Sequence, residues 1–420
     1  MRITILSLLV SFFILTFTAC RDDNEAPEAE KRSRTVLVYM VAQNNLSSFA
    51  EADFNEMLEG MKSVDDQNNN LIIYWDDKDS KPRLIRLYKD KNGTVKQERL
   101  QDYAEQNSVD TEIMKSILNQ VYSEYPADSY GLVLWSHADG WAPYPGVKSR
   151  SFGDDGGNSM NIADLRKVLE GTRYLNFVFF DACFMQAAEV AYELRQYTDY
   201  IVGSPTEIPA PGAPYQVVVP AMFEDEDAAK KIAETYYTNY ANTYNAEIRE
   251  GEYSPWKDRN YLTNIWVAGV SSSVVDCSKL EALATVTGEL VSKYVDASIT
   301  SDNVYCYDKR KGYSYDYNNS KLYYDFADFM KKITGDNDEY KIWEQFFKEA
   351  VPYYYTTPKN FSDWVGAFDM TGTCGLSIFI PRSSSPKLNE FYRDYQWYND
   401  AGWVRKCSHR TGYYNTTTNE

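Results

Sequence analysis

The sequence contains two histidines, and one of them, His137, ends a buried-strand pattern that begins at Tyr130. Cys183 lies just beyond a second such pattern, the nearly all-apolar run from Leu175 to Phe180. A strand that is apolar on both faces is typical of a parallel sheet covered by helices, and such sheets bind ligands at the carboxyl ends of their strands. If the two strands are neighbours, the thiol and the imidazole meet in one crevice. Such a pair can carry out nucleophilic acyl transfer, in which the imidazole takes the thiol proton and later gives it to the leaving amine.

Backbone N–H groups close to both side chains are suited to hold an oxyanion. They are the N–H of Cys183 and those of the turn after His137, which begins with Ala138. Asp181 lies two residues before the thiol, and because side chains alternate along a strand, the two point the same way if the extended chain persists. The helical period that starts at Met185 would place Cys183 just before a helix N-terminus, which favours the thiolate. The plainer alternatives are a small buried thiol and a hydrogen-bonded core histidine.

Strand and helix patterns alternate along the first half of the chain. Strands are predicted at 35–42, 71–75, 84–88, 130–137, 175–180 and 200–204, and helices at 47–62, 110–125, 161–169 and 228–244. Residues 142–160 are predicted to form a loop. The alternation predicts an α/β fold in which a mostly parallel central sheet lies between two layers of helices.

The second half of the chain has a different pattern. Beyond about residue 258, helices are predicted at 278–297, 325–334 and 342–350, with one late strand near 375–381. We therefore predict one domain over 35–258 and a largely helical C-terminal domain over 259–420. The C-terminal part contains Cys277, Cys306, Cys374 and Cys407, and the sequence leaves three disulfide pairings of these four residues open.

The N-terminus has the pattern of a secretion signal over residues 1–19, with Arg2 followed by an apolar run too short for a comfortable membrane span. Cys20 follows a small residue, as in bacterial lipoproteins, and is predicted to be the lipidated first residue of the mature chain. Residues 20–34 then form an acidic tether. These features predict a lipid-anchored protein of the bacterial cell envelope, at the outer membrane and either surface-exposed or periplasmic.

The charge of the chain limits its partners. The formal net charge is −18, which argues against a nucleic-acid partner and would attract cationic substrates. No Cys or His cluster has the spacing of a structural zinc site. The turn that contains Asp76, Asp77 and Asp79 is a candidate for Ca²⁺, with a solvated loop as the alternative.

Two blocks around His137 and Cys183 resemble the catalytic blocks of the clostripain family of cysteine peptidases, which belongs to the caspase-like clan. The blocks are Trp135-Ser-His137-x-x-Gly140-Trp141 and Asp181-Ala-Cys183-x-Met185-x-x-x-Glu189-Val-Ala-Tyr192-Glu-Leu194. Flanking similarity occurs in Val38-Tyr-Met-x-Ala42-x-Asn44-x-Leu46, Phe152-Gly-Asp-Asp155 and Gly375-Leu-Ser-Ile-Phe-Ile-Pro381. The resemblance extends from about residue 35 to residue 404.

This resemblance implies a caspase-like αβα sandwich over 35–258, with His137 as base and Cys183 as nucleophile. It also implies an endopeptidase that cuts proteins or peptides after Arg or Lys through a covalent acyl-enzyme, needs no cofactor for the chemistry, and is often supported by Ca²⁺. One departure is Ala138, since the family usually has glycine after the histidine, and its methyl group borders the oxyanion site. Asp181 corresponds to the acidic residue of the specificity pocket, and Glu207 is the candidate for a second pocket acid.

The loop between the two catalytic strands contains Lys148 and Arg150. Members of the family and clan are often cut in this region on activation, and an exposed loop with basic residues suits self-processing by a peptidase that cuts after them.

Two other functions fit the sequence. One is a non-catalytic binding lipoprotein, since the 9 Trp and 36 Tyr residues would suit stacking on glycans or peptides at exposed sites. The other is a weakly active, degenerate peptidase, which Ala138 suggests. A thiol-blocking reagent distinguishes a peptidase from a binding protein, because only the peptidase loses its activity.

Overall fold

The computed structural model describes residues 33–407, apart from 66–67, 143–150, 253–265, 296–300, 302, 310–320 and 383–385. The strands are β1 Arg34–Ala42, β2 Asn70–Asp77, β3 Arg83–Lys89, β4 Val95–Asp102, β5 Ser129–Trp135, β6 Phe152–Asp155, β7 Asn158–Met160, β8 Leu175–Asp181, β9 Thr198–Gly203, β10 Ser271–Asp276, β11 Tyr324–Asp325, β12 Tyr353–Thr356, β13 Lys359–Ser362, β14 Gly366–Asp369 and β15 Ser377–Ile378. The helices are α1 Ser47–Gly60, α2 Thr111–Glu124, α3 Ile162–Leu169, α4 Ala188–Leu194, α5 Tyr215–Met222, α6 Ala228–Ala241, α7 Leu280–Tyr294, α8 Phe326–Thr334, α9 Asp338–Ala350, α10 Pro386–Tyr392, α11 Gln396–Asp400 and α12 Trp403–Cys407.

A nine-stranded sheet forms the centre of the molecule, in the order β12-β10-β9-β8-β5-β1-β2-β3-β4. The five middle strands, β9, β8, β5, β1 and β2, pair in parallel. The outer strands on both sides pair antiparallel. Helices cover both faces of the sheet, so the predicted α/β class with a parallel centre is confirmed.

The apolar runs identified in the sequence supply the two faces of the core. Val38 and Phe179 point to the face covered by α1, α5 and α6, where Met57, Val219 and Ile232 are fully buried. Leu37 and Phe180 point to the opposite face, against side chains of α2, α3 and α4. Full burial of each such side chain stabilises the fold by about 1.5–3 kcal/mol relative to exposure, so the alternation fixes which face every residue of a strand takes.

One close approach between β5 and β8 requires glycine. Gly131 of β5 lies opposite Phe177 of β8, and a Cβ atom at position 131 would lie 2.4 Å from the ring. The ring therefore lies across the neighbouring strand, and a substitution of Gly131 would push β5 and β8 apart.

Of two local predictions from the sequence, the N-cap of α2 is confirmed and the loop over 142–160 is wrong. Asp110 is the predicted N-cap of α2, and its side chain accepts hydrogen bonds from the N–H groups of Glu112 and Ile113. The prediction of a continuous loop over 142–160 is wrong, because β6 and β7 form a short hairpin at its end. These strands are short and polar, so they lack the apolar alternation that identifies a strand.

The central sheet continues beyond residue 258. Strand β10 pairs antiparallel with β9, and β12 pairs with β10, so two strands of the C-terminal half extend the sheet. Their serine- and tyrosine-rich sequences gave no strand signal. The late strand β15 pairs with β11 in a separate two-stranded sheet. The division at 258/259 stays a prediction.

Within the part of the chain that the structure describes, no helix is both long enough and apolar enough to cross a membrane. In the same part, Cys183, Cys277, Cys306 and Cys374 form no disulfide bonds. Cys20 lies outside the described residues, so its predicted lipidation stays a prediction.

Candidate active site

The register of two adjacent parallel strands brings the predicted base and nucleophile to one edge of the sheet. Strands β5 and β8 are neighbours, and Trp135 lies opposite Asp181 in the last paired position. His137 and Cys183 follow this pair by two residues each. The expectation that their strands are adjacent is therefore confirmed, and both side chains are half-buried at the carboxyl edge.

Cys183 lies in a sharp turn after β8. The next residue, Phe184, has a φ of 59°, in the left-handed region that non-glycine residues rarely adopt. Its N–H donates to the carbonyl of Thr206 over 3.0 Å, and this bond holds the turn against the following loop. The N–H of Ile208 in that loop donates to the Cys183 sulfur over 3.2 Å. An N–H aimed at the sulfur favours the thiolate over the thiol.

The predicted contribution of a helix dipole to Cys183 is wrong. Helix α4 begins at Ala188, five residues after the thiol, rather than at Met185. Since the field of a helix terminus falls off within about one turn, it contributes little at Cys183. The group that favours the thiolate is therefore the Ile208 N–H and not the N-terminus of a helix.

His137 is oriented by a residue that the sequence interpretation missed. Its Nε2 atom lies 2.6 Å from Oδ1 of Asn45, which follows β1. In the tautomer that carries hydrogen on Nε2, Asn45 accepts this bond, and Nδ1 is the ring nitrogen that can take a proton. A histidine base held by a third polar side chain is the usual arrangement around an activated nucleophile.

A buried polar network holds the loop that carries His137. The Ser136 hydroxyl donates to the carbonyl of Val41 over 2.7 Å and accepts from the N–H of Asp154 over 3.2 Å. The Asn44 amide donates to the carbonyls of Val41 and Asp154. The network links β1, the end of β5 and the β6–β7 hairpin. It therefore fixes the position of the backbone that carries the His137 imidazole.

Ala138 lies in a short bridge between the His137 loop and β6. It pairs antiparallel with Phe152. The two hydrogen bonds of this bridge run from Gly153 N–H to the His137 carbonyl and from Asp139 N–H to the Ser151 carbonyl. Neither uses the Ala138 N–H, the group predicted to hold an oxyanion.

Tyr323 joins the two catalytic loops, although no local signal in the sequence marks it. Its hydroxyl donates to the carbonyl of Asp139, and its ring stacks on Phe184 with centroids 4.9 Å apart. Gly140, with a φ of 66°, packs against Tyr323 and the Phe184 carbonyl, and a Cβ atom there would lie 2.6 Å from the tyrosine hydroxyl. This contact sets the relative position of the turns after His137 and after Cys183.

Asp181 is almost fully buried beneath the thiol turn, at 4% exposure. Its Oδ2 atom accepts hydrogen bonds of 2.9 Å from the Ala213 N–H and the Tyr215 hydroxyl. Its Oδ1 atom is buried and accepts no hydrogen bond from the part of the chain that the structure describes. Burial raises the pKa of Asp181 to about 6, while the bonds from Ala213 and Tyr215 lower it. A buried acceptor of this kind is suited to a hydrogen-bond donor that arrives with a ligand.

Two further carboxyl groups from α1 lie near Asp181 and were missed by the sequence interpretation. Asp53 is buried and accepts a 2.7 Å hydrogen bond from Nε1 of Trp135, and Glu56 accepts a 2.9 Å bond from the Tyr215 N–H. Burial raises the pKa of Asp53 well above its usual range, and the nearby Asp181 adds to the rise. Burial also raises the pKa of Glu56 to about 7. We call Asp53, Glu56 and Asp181 the carboxylate cluster.

Glu207, the candidate for a second pocket acid, is half-buried and is bonded to a hairpin made of β13 and β14. Its Oε1 accepts from the Ser362 hydroxyl over 2.9 Å, and its Oε2 accepts from the Asp363 N–H over 3.1 Å. Glu207 directly precedes Ile208, whose N–H contacts the Cys183 sulfur. Glu207 therefore lies one residue before the N–H that contacts the Cys183 sulfur and six residues before Ala213, the partner of Asp181.

The remaining predicted sites are either outside the described residues or engaged elsewhere. Lys148 and Arg150 lie outside them. In the predicted Ca²⁺ turn, Asp77 forms a 2.7 Å ion pair with Arg83, and Asp76 bonds to the Ser108 hydroxyl. Among the described residues, no group of three or more His, Cys, Asp or Glu side chains is arranged to hold a metal ion. No Ca²⁺ ligands are therefore assigned.

A thiol and an imidazole at the carboxyl edge of a helix-covered parallel sheet define a cysteine peptidase with a caspase-like fold. The family model described as the clostripain family matches residues 38–411, and the chain belongs to this family. It is a cysteine peptidase, and the resemblance found in the sequence is confirmed.

Individual relatives agree with this assignment. The chain is 42% identical to a secreted cysteine protease from Bacteroides thetaiotaomicron, solved with an irreversible peptide inhibitor; the match covers 89% of this chain and 99% of the other, with a TM-score of 0.77. An inactive zymogen from Parabacteroides distasonis is 32% identical over 88% of this chain and 97% of the other, with a TM-score of 0.73. Clostripain from Hathewaya histolytica is 27% identical over 220 residues, which span 44% of this chain and 41% of that relative.

Proposed function

We propose that this chain is an endopeptidase that hydrolyses peptide bonds after Arg or Lys, with Cys183 as nucleophile and His137 as base. The observation that carries the proposal is the register of β5 and β8, which brings the two residues to adjacent strand ends, two positions beyond the pair of Trp135 and the buried Asp181. The peptide inhibitor bound to the relative from Bacteroides thetaiotaomicron supports a peptide substrate.

The catalytic cycle follows from these groups. The imidazole of His137 takes the thiol proton, and the sulfur of Cys183 attacks the carbonyl carbon of the scissile bond. The N–H groups of Ala138 and Cys183 donate to the oxyanion that forms. When the C–N bond breaks, the imidazolium gives its proton to the leaving amine, and an acyl-enzyme remains. Water then attacks the acyl carbon while His137 takes its proton, and the thiol and the new carboxylic acid are released.

Asn45 supports this cycle from outside the reacting atoms. By accepting a hydrogen bond from Nε2, it holds the ring in the tautomer in which Nδ1 is the base. The bond also stabilises the imidazolium while the tetrahedral intermediate exists. The methyl group of Ala138 borders the oxyanion site without removing the N–H, so the cycle retains its donor.

Selection of a basic residue rests on Asp181. A substrate guanidinium or ammonium that enters the pocket can donate to Oδ1, which has no donor among the described residues. A charge-assisted bond in a buried site is roughly twice as strong as a neutral one. A guanidinium can contact the carboxylate with two N–H groups, which would favour Arg over Lys. Glu207, predicted as a second acid, adds negative charge beside the nucleophile while its hydrogen bonds go to the hairpin.

The same specificity would let the enzyme cut its own chain. Lys148 and Arg150 lie in the sequence between the two catalytic strands, and they are the residue type that Asp181 would select. The inactive zymogen from Parabacteroides distasonis supports activation by processing within this family. Cleavage there would leave the paired strands of the sheet uncut.

We also propose that the mature chain starts at Cys20, carries a lipid there, and works at the outer membrane, surface-exposed or in the periplasm. The secreted relative from Bacteroides thetaiotaomicron supports an extracytoplasmic location. Support of the activity by Ca²⁺, with ligands unassigned, stays a prediction that is tested by adding a chelator to the activity assay.

The test uses reporter peptides with Arg, Lys, Asn or Asp before the scissile bond. Cys183→Ala and His137→Ala should each remove nearly all activity on the Arg and Lys peptides, and the double variant should be little worse than either, because the two residues act as a unit. Cys277→Ala, which removes a buried thiol far along the chain, is the matched control and should remain active. Wild type should also gain a new N-terminus at Ser149 or Ser151, while Cys183→Ala stays whole. Full activity of Cys183→Ala would refute the proposal.

A further inference from the structure

The hairpin of β13 and β14 lies beside the nucleophile and carries an exposed tryptophan. We call residues 359–369 the Trp364 hairpin. Trp364 lies in its turn and is 45% exposed, whereas Phe361 and Ser362 on the strand before it are buried. A tryptophan has the largest apolar surface of any side chain, and leaving it in water forfeits stability that burial would provide. An exposed tryptophan next to an active site is therefore a candidate contact for a ligand.

The base of the hairpin is fixed to the active-site loop by buried side chains. The Asn360 amide donates to the hydroxyls of Thr206 and Ser271 over 3.1 and 2.9 Å. The Phe361 ring packs edge-on against Trp266 with centroids 5.2 Å apart. Asn360 is 1% exposed, so these bonds are shielded from water. The hairpin is thus built on the same loop that contacts Cys183.

The turn of the hairpin is held by Glu207. Its two carboxylate oxygens accept from the Ser362 hydroxyl and the Asp363 N–H, and the Trp364 N–H donates to the same Ser362 hydroxyl over 3.3 Å. Three consecutive residues of the turn are therefore tied, directly or through Ser362, to one carboxylate. A ring presented on a pre-organised turn loses little conformational freedom when it binds.

The path along the 206–213 loop shows which part of a substrate reaches the hairpin. Ala213 contacts Asp181, the proposed pocket for the basic residue, Ile208 contacts the Cys183 sulfur, and Glu207 holds the hairpin. One loop therefore supplies a contact to the basic pocket, the contact to the Cys183 sulfur and the anchor of the hairpin. An extended peptide advances about 3.3 Å per residue, so residues next to the basic residue in a bound peptide come within reach of Trp364.

We propose that Trp364 forms a second specificity subsite, which takes an aliphatic or aromatic side chain located one to three residues before the basic residue. The proposal rests on the proposed function, because that function puts the basic residue of the substrate at Asp181. The substrate class becomes peptides in which an apolar residue precedes Arg or Lys. The Trp364 ring and the apolar substrate side chain would bury apolar surface against each other, as tryptophan side chains do at binding hot spots.

The experiment profiles wild type and Trp364→Ala on peptides whose three positions before the cleaved residue are varied between Leu, Phe, Ser and Asp. The cleaved residue is whichever one wild type prefers, so a failure of the basic preference leaves this test intact. With Leu or Phe at the selected position, kcat/KM should fall about 10-fold, in line with the loss of one buried apolar contact. With Ser or Asp there it should fall less than about 2-fold. Trp364→Phe should keep most of the apolar preference.

Ile342→Ala is the matched control, since Ile342 is an exposed apolar residue, 54% accessible, on α9. This variant should leave every peptide unaffected. Equal losses on apolar and polar peptides in Trp364→Ala, or no loss at all, would overturn the subsite. A wild type that lacks a basic preference but shows a Trp364-dependent apolar preference would refute the specificity of the proposed function and retain this inference.

Discussion

Two regions near Cys183 offer a substrate opposite environments. The first is the carboxylate cluster, in which Asp53 and Asp181 are buried among tyrosine and tryptophan side chains. The second is the Trp364 hairpin, whose turn is exposed and which is held by the half-buried Glu207. Both regions contact the same short loop after β9. One loop therefore connects a region suited to a cationic side chain with a region suited to an apolar one.

Burial decides which of the two contacts contributes more to the discrimination between substrates. Charge interactions strengthen several-fold when water is excluded, so an ionised Asp181 can discriminate strongly between charged and uncharged side chains. The exposed region has no such amplification, and an apolar contact there should contribute about tenfold less discrimination. Asp181 and Glu207 are predicted as two acids of one pocket. Their substitution should nevertheless affect substrate discrimination to different extents.

The largest expected effect is that of Asp181→Asn. The change removes the negative charge while keeping an acceptor for Ala213 and Tyr215. For Arg substrates kcat/KM should fall about 100-fold, the size expected for a lost charge-assisted contact, and KM should rise. Substrates with an uncharged residue before the scissile bond should change less than about 3-fold.

Asp53→Asn is the control for this prediction, since it makes the same substitution in the same cluster. Burial raises the pKa of Asp53 well above its usual range, which favours its neutral form. Its Oδ2 already accepts from Nε1 of Trp135, so its loss should barely change the preference for Arg. Equal losses on charged and uncharged substrates in Asp181→Asn would make Asp181 a structural residue.

The next effect is a pH dependence of the preference for Arg. Burial raises the pKa of Asp181 to about 6, so the group is neutral below that pH and anionic above it. The ratio of kcat/KM for Arg to that for an uncharged substrate should rise about 10-fold from pH 5 to pH 7.5, because the ionised fraction grows tenfold per pH unit below the pKa. Taking the ratio cancels the titration of Cys183 and His137. In Asp181→Asn the ratio should be flat, and a steep rise there would assign the titration to another group.

The sequence could predict the parts of this site that long apolar runs determine. Those runs placed β1, β5 and β8, and the end of each strand marked His137 and Cys183. The carboxylates of α1 could not be found, because Asp53 meets Asp181 through a fold contact between residues 128 positions apart. The Trp364 hairpin could not be predicted for a different reason. Its strands are only four residues long, and they are held by side-chain bonds to a distant loop. Tyr323 likewise becomes informative only through its contacts.

The smallest effect is expected for Glu207→Gln. Gln keeps the length of the side chain and one acceptor, so the hairpin should lose part of its support while the carboxylate cluster is untouched. The preference for Arg should change less than about 3-fold, in keeping with a half-exposed charge, and the apolar preference at the Trp364 subsite should weaken. Profiling both preferences in one variant separates the two regions. A loss of Arg preference as large as that of Asp181→Asn would make Glu207 the second pocket acid.

The most direct test of the account labels the intact wild-type enzyme with an irreversible peptide inhibitor that carries arginine at the cleaved position, and finds the modified residue by mass spectrometry. We expect a single adduct on Cys183, formed about 100-fold faster than with the same inhibitor carrying an uncharged residue, since Asp181 contacts only the cation. The adduct should be absent from Cys183→Ala and slow to form in His137→Ala. An adduct on Cys277, Cys306 or Cys374, or equal rates for the charged and uncharged inhibitors, would contradict the central claim.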